Sequence, residues 1–184
     1  MMSRSSKRIV RKSPWSKIPP TYRMLIGFAL IAFVGLMGQT PKSIFGIQII
    51  WPHAALWAAV GWASVGLSLR PMLLLCLLGR AQDVSFNGPL AVFWLVNLSA
   101  YGVAAWLSET LDADKDPVQA LAVAAVAMTV AFLVLWLLAS GTANHAVRFI
   151  PRLQEWLVTL LLFLPIAPLF RLGGRPGLRI GAAS

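Results

Sequence analysis

One long apolar run constrains this chain more than any other feature. Residues 118–140 are rich in Ala and Val and include no charged side chain. A helix rises about 1.5 Å per residue, so such a run can cross a bilayer core of roughly 30 Å. Only 12% of the whole chain is charged, whereas soluble domains carry about a quarter. Six acidic residues in all are too few to cover a water-soluble globule, so a soluble globular domain is excluded.

Further apolar runs predict an all-α, polytopic membrane protein with about six transmembrane helices. The predicted spans are 22–38, 52–69, a short third run at 72–81, 89–108, 118–140 and 153–170. Proline tends to begin helices rather than continue them. Pro52 therefore opens the second span, and residues 44–51 are expected to form an interfacial or re-entrant loop.

Helix boundaries are also predicted from single residues. Arg70 and Pro71 should make a tight turn between the second and third spans. Glu155 should lie in the first turn of the sixth span, where the helix dipole favours an acid. Pro165 and Pro168 should kink the end of that span.

The basic charge of the chain predicts its orientation. The net charge is +10, and the basic residues concentrate at the two ends. Short flanks rich in Lys and Arg stay on the cytoplasmic side of a membrane. The expected organisation is a basic cytoplasmic tail (1–21), one six-helix domain (22–172) and a short basic cytoplasmic tail (173–184). Five spans would place the basic C-terminal tail outside, which favours six.

The same charge argues against nucleic-acid binding and for membrane lipid as a partner. A nucleic-acid surface would interleave basic residues with stacking aromatics or place them on one helix face. The N-terminal run has only Trp15 and Tyr22 as aromatics. Attraction of this tail to anionic lipid headgroups fits better.

Catalytic, metal-binding and cofactor-binding motifs are not evident in the sequence. His53 and His145 fall on different elements, and the single cysteine, Cys76, lies in an apolar run as a small hydrophobe would. Serines in the apolar helices have no histidine and carboxylate within reach. We therefore predict a protein that is not an enzyme and has no metal or cofactor.

The most informative polar cluster is the segment Arg80-Ala81-Gln82-Asp83. Side chains three residues apart share a helix face, so Arg80 and Asp83 can pair. The cluster either organises a helix end and the loop that follows, or binds a partner; alternatively it is a plain helix terminus at the outer interface. The candidate structural or partner-binding residues are Pro52, Arg80, Gln82, Asp83, Gly88 and Pro89.

The same segment resembles the MreD family of rod shape-determining proteins of the bacterial inner membrane. That family has a Pro-Asp start to an early span, a Gly-x-x-x-Asp segment and a Pro-Leu-Gly helix start. This chain has Pro52-His53, then Gly79 to Asp83, then Gly88-Pro89-Leu90-Ala91. His53 therefore replaces the usual Asp, and Ala91 replaces the usual Gly.

The resemblance implies a non-catalytic scaffold of the cell-elongation machinery, which couples cytoskeletal filaments to peptidoglycan synthesis and so regulates cell shape. The implied partners are an MreC-like bitopic protein, a RodA-type glycosyltransferase and a class B penicillin-binding protein, with MreB filaments indirectly.

Two alternatives stay open. The first is the substrate-binding subunit of a vitamin-type transporter, which would need convergent polar groups. Its candidate residues are Gln48, His53, Asn97, Tyr101, Asn144 and His145. The second alternative is an intramembrane enzyme.

Overall fold

A computed structural model describes residues 18–38, 43–44, 47–48, 51–85, 91–111, 116–142 and 149–172. Those residues form a helical bundle, as the apolar runs predict. The helices are α1 Pro20–Gly38, α2 Ala54–Trp62, α3 Leu69–Ser85, α4 Val92–Thr110, α5 Pro117–Thr142 and α6 Phe149–Phe170. A 3-10 turn, Ala63–Val65, extends α2, and the strands β1 Ser43–Ile44 and β2 Ile47–Gln48 form a small antiparallel pair.

Among the described residues, three helices are long and apolar enough to cross a membrane, judged by length and composition. They cover Pro20–Gly38, Val118–Gly141 and Ile150–Phe170. The prediction of about six spans was too high by this measure. The second span falls short because α2 and its 3-10 turn occupy only Ala54–Val65. Polar side chains interrupt α3 and α4, as Asp83 and Asn97 illustrate.

The six helices nevertheless alternate in direction. The start of α1 meets the end of α6, because Arg23 donates hydrogen bonds to the carbonyl oxygens of Arg171 and Leu172. Three crossings alone would place the start of α1 and the end of α6 on opposite faces of the bundle. The shorter helices α2, α3 and α4 therefore add an odd number of passes through the bundle, so that the total number of passes is even. We call the end with Arg23 the terminal end and the other the distal end.

Helix α2 forms the centre of the bundle. All nine of its residues are buried, and it packs against each of the other five helices. A helix that is apolar on every side is expected to be enclosed by protein or lipid. Gly61 brings α2 against Phe170 of α6, where a Cβ atom would clash with the Phe170 backbone. The short second helix is thus a buried core element.

Two predicted boundaries were wrong. Arg70 and Pro71 lie inside α3, and the turn before it occurs at Gly66, whose φ is 80°. Helix α6 begins at Phe149, so Glu155 lies beyond its first turn. Helix α6 ends at Phe170, as predicted, and Pro165 and Pro168 lie inside its last two turns.

Candidate functional site

Asp83 joins the end of α3 to the start of α4. Its side chain is only 1% exposed. Oδ2 accepts a hydrogen bond from the Ala91 backbone N–H, and Oδ1 accepts one from the Phe93 N–H, both at 2.9 Å. The first N–H groups of a helix have no partner within the helix. Asp83 supplies those acceptors from a neighbouring helix, and its negative charge suits the positive end of the α4 dipole.

The two helices approach closely at this joint. A Cβ atom on Gly79 would lie 2.5 Å from both the N and the Cα of Trp94, so only glycine fits. Ala91 immediately precedes α4 with a φ of 77°, in the left-handed region that favours glycine. The residues Gly79, Asp83 and Ala91 therefore act as one unit, which we call the α3–α4 joint.

Arg80 does not pair with Asp83, although their spacing on α3 would allow it. Arg80 is exposed, and within the described residues no ion pair connects the two side chains. Asp83 points inward to the backbone amides, whereas Arg80 lies on the outer face of α3. The backbone donors therefore take the place of a basic partner.

Gln82 contributes a second link between the same helices. Its Oε1 accepts a hydrogen bond of 3.2 Å from Asn97 Nδ2 on α4, and Asn97 is 2% exposed. Gly88 and Pro89, which were also predicted to take part, lie outside the described residues.

Pro52 precedes a second polar cluster at the distal end. His53 follows it and serves as the N-cap residue of α2, although its side chain makes no capping bond. Instead its backbone N–H donates to Thr159 Oγ1 at 3.0 Å. Thr159 in turn donates to the Glu155 carbonyl, and Trp57 Nε1 donates to the Thr159 carbonyl at 2.8 Å. Thr159 thus satisfies the backbone N–H where α2 begins, and Trp57 of α2 bonds the backbone of α6 in return.

The charged part of this distal cluster comprises His53, Arg152 and Glu155. Arg152 Nη1 donates to Glu155 Oε2 at 2.7 Å, and His53 Nε2 lies 3.4 Å from the same oxygen. One oxygen of Glu155 therefore contacts two basic side chains. Ionisable groups within a bilayer are costly unless they are paired or hydrated, and this arrangement provides the pairing.

The distal cluster and the α3–α4 joint meet through aromatic contacts. The His53 ring lies 5.8 Å from the Phe93 ring and 5.2 Å from the Phe132 ring, the latter edge-on at 78°. Phe93 is the residue whose N–H donates to Asp83. A continuous set of contacts thus connects the distal cluster on α6 with Asp83 on α3.

A groove of about 240 Å³ opens beside the distal cluster, between α5 and α6. Its lining is apolar except at Thr129 and Arg152. The lining residues are Thr129, Phe132, Leu133, Trp136, Arg152, Leu153 and Trp156.

At the terminal end, polar side chains again satisfy irregular backbone. The Tyr101 hydroxyl on α4 donates to the Gly66 carbonyl and accepts from the Ser68 N–H, both at 2.8 Å. This links α4 to the turn between α2 and α3. Arg23 performs the same task for the carbonyls that follow α6.

The polar residues proposed for a transported ligand do not form one site in the described part of the chain. Tyr101 and Asn97 are engaged in the helix links above, and His53 belongs to the distal cluster. None of these three lines the groove. Asn144, His145 and the Gln48 side chain are outside the described residues.

The sequence did not predict the distal cluster or the role of Arg23. The Arg152–Glu155 pair of the distal cluster could have been predicted, because the two residues are three apart and so share a helix face. The contact of His53 with Glu155 could not, because the two residues are far apart in the sequence. Among the described residues, no group of three or more His, Cys, Asp or Glu side chains could hold a metal ion.

Comparison with known proteins yields no relative: no family model, curated protein or solved structure matches this chain.

Proposed function

We propose that this protein is a non-catalytic scaffold of the bacterial inner membrane that serves the cell-elongation machinery. One observation carries the scaffold part of the proposal. The described buried polar side chains, such as Asp83, Asn97 and Thr159, are committed to joining helices. A protein built in this way offers a rigid outer surface to other membrane proteins.

The cell-elongation part rests on the resemblance to MreD proteins, and the geometry of the α3–α4 joint supports it. Three of the residues that carry the resemblance, Gly79, Asp83 and Ala91, are in one structural unit, in which Gly79 permits close approach and Asp83 caps α4. Ala91 stands where the family has glycine, and its backbone adopts a conformation that favours glycine. A glycine preference at this position therefore has a physical reason.

In-cell crosslinking tests the proposal. Photoreactive residues at Phe33, Leu77 and Trp106, which are exposed on three different helices, should each be examined in turn. At least one should capture an MreC-like protein, a RodA-type glycosyltransferase or a class B penicillin-binding protein. The buried Leu75 provides the matched control and should capture none of them.

Depletion of the protein supplies the cellular readout. Rod-shaped cells should become round as the scaffold is lost. Capture of no cell-wall protein at any exposed position, together with unchanged cell shape, would contradict the proposal. Stabilisation of the purified protein by a vitamin-type ligand would instead favour the transporter subunit.

A further inference from the structure

The groove between α5 and α6 is shaped for a flexible apolar chain. Phe132 is buried at its floor, while Leu133 and Leu153 are exposed along its sides. Its volume of about 240 Å³ is below the 300–1,000 Å³ that is typical of small-molecule pockets. The lining spans Thr129 to Trp136, which is about 10 Å of helix at 1.5 Å per residue. A segment of a single acyl chain fits such a narrow, one-sided groove.

Polar and aromatic groups mark one end of this groove. Arg152 lies in the first turn of α6, and Trp136 and Trp156 lie on the two walls. Tryptophan is enriched at the level of lipid headgroups because its ring is amphipathic. The Nε1 atom of Trp156 is buried and has no hydrogen-bond partner among the described residues. The groove thus runs inward from the headgroup level.

Arg152 has hydrogen-bonding capacity to spare. A guanidinium carries five N–H donors, and Nη1 alone is bonded to Glu155 within the described residues. The Arg152 side chain is 33% exposed. A planar guanidinium fits phosphate oxygens well, and the N-terminal end of the α6 dipole also favours an anion.

The distal cluster places one acid, Glu155, beside Arg152, and His53 lies against the same carboxylate. His53 adds positive charge to the cluster only when its ring is protonated. An anionic headgroup would therefore be held by the Arg152 N–H groups that Glu155 does not use.

We propose that this groove binds one anionic phospholipid. Its phosphate accepts hydrogen bonds from Arg152, and one acyl chain lies along Phe132, Leu133 and Leu153. This inference does not depend on the proposed scaffold function. It identifies a specific lipid site on the outer surface of α5 and α6.

Native mass spectrometry of the full chain tests this site. The protein is mixed in detergent micelles with equimolar phosphatidylglycerol and phosphatidylcholine, and the micelle is then removed in the mass spectrometer. The wild type should retain one phosphatidylglycerol in preference to phosphatidylcholine. Arg152→Gln should reduce this preference by about tenfold, because a charge-assisted hydrogen bond is lost. Arg80→Gln, at an exposed arginine on α3, should leave it unchanged.

A second variant tests the groove itself while Arg152 stays intact. Leu133→Trp should fill the groove and abolish lipid retention, whereas Leu137→Trp, one turn further along the exposed face of α5, should retain the lipid. Equal retention of the two lipids by the wild type would overturn the proposal. So would an unchanged preference in Arg152→Gln, or lipid retention in Leu133→Trp equal to that in Leu137→Trp.

Discussion

Asp83 uses both carboxylate oxygens to cap the start of α4 from α3. Asp83→Ala would leave two backbone N–H groups without acceptors in a buried place. We expect a loss of about 2 kcal/mol in the free energy of unfolding. Asp83→Asn keeps one acceptor oxygen, so its loss should be about half as large. Titration with a denaturing detergent in micelles measures both values.

Arg80→Ala is the control for Asp83, because Arg80 is exposed one turn earlier on the same helix. It should change stability by less than about 0.5 kcal/mol. Wild-type stability in both Asp83 variants would contradict the capping role. The crosslinking experiment is then repeated with the two Asp83 variants. Loss of partner capture in a variant that keeps its stability would indicate a binding role, and loss of stability with unchanged capture would indicate a structural role.

Ala91 has a left-handed backbone that costs an alanine roughly 1–2 kcal/mol. Ala91→Gly should relieve this strain. Glycine has more backbone freedom in the unfolded chain, which offsets part of the gain. We expect a net stabilisation of about 0.5 kcal/mol, seen as a higher melting temperature.

Ala122→Gly is the matched control for Ala91, because Ala122 is exposed in the interior of α5. It should destabilise the protein by about 0.5–1 kcal/mol. Equal losses from both substitutions would show that position 91 is not strained.

Close approach between α3 and α4 depends on Gly79 but not on Gly102, and the sequence alone does not distinguish these two glycines. Gly79 meets the backbone of Trp94, whereas a Cβ atom at Gly102 would meet nothing within 4 Å. Gly79→Ala should force α4 away from α3 and lower the melting temperature. Gly102→Ala should stabilise α4 by up to about 1 kcal/mol through helix propensity. A melting-temperature comparison of the pair decides this, and equal shifts would refute the close packing at Gly79.

The irregular turn between α2 and α3 depends on a hydroxyl group from α4. Tyr101→Phe removes the group that serves both Gly66 and Ser68. We expect a loss of about 1 kcal/mol, within the range for hydrogen bonds in membrane proteins. Tyr22→Phe, at an exposed tyrosine, should have no effect. A Tyr101→Phe protein as stable as the Tyr22→Phe protein would mean that the turn does not need this bond.

The helices that were predicted best are those that contact lipid or solvent along most of their length. Helix α5 matches the run 118–140 within two residues at each end. A long uncharged run of this kind is long enough to cross a bilayer as one helix. The prediction failed at α2, whose ends are set by Thr159 and Tyr101 from other helices. The sequence singled out Asp83, but its partners in the structure are backbone amides, and no residue type encodes these.

At the scale of the whole molecule, alternation of the six helices reconciles the short α2 with the contact between the start of α1 and the end of α6. Non-helical backbone at membrane depth is tolerated where protein encloses it, and α2 is enclosed on all sides. A protein of this design does not need every helix to be a complete apolar span. The distribution of basic residues then predicts that the terminal end faces the cytoplasm.

Cysteine labelling in intact cells tests this arrangement most directly. Cys76 is first replaced by Ala, and single cysteines are introduced at exposed positions near each end of the bundle. Pro19 and Thr110 represent the terminal end, and Ser85 and Ile150 represent the distal end. A membrane-impermeant maleimide should label the Ser85→Cys and Ile150→Cys variants from outside, and the Pro19→Cys and Thr110→Cys variants only after permeabilisation. Labelling of Pro19→Cys and Ile150→Cys from the same side would contradict the alternating bundle.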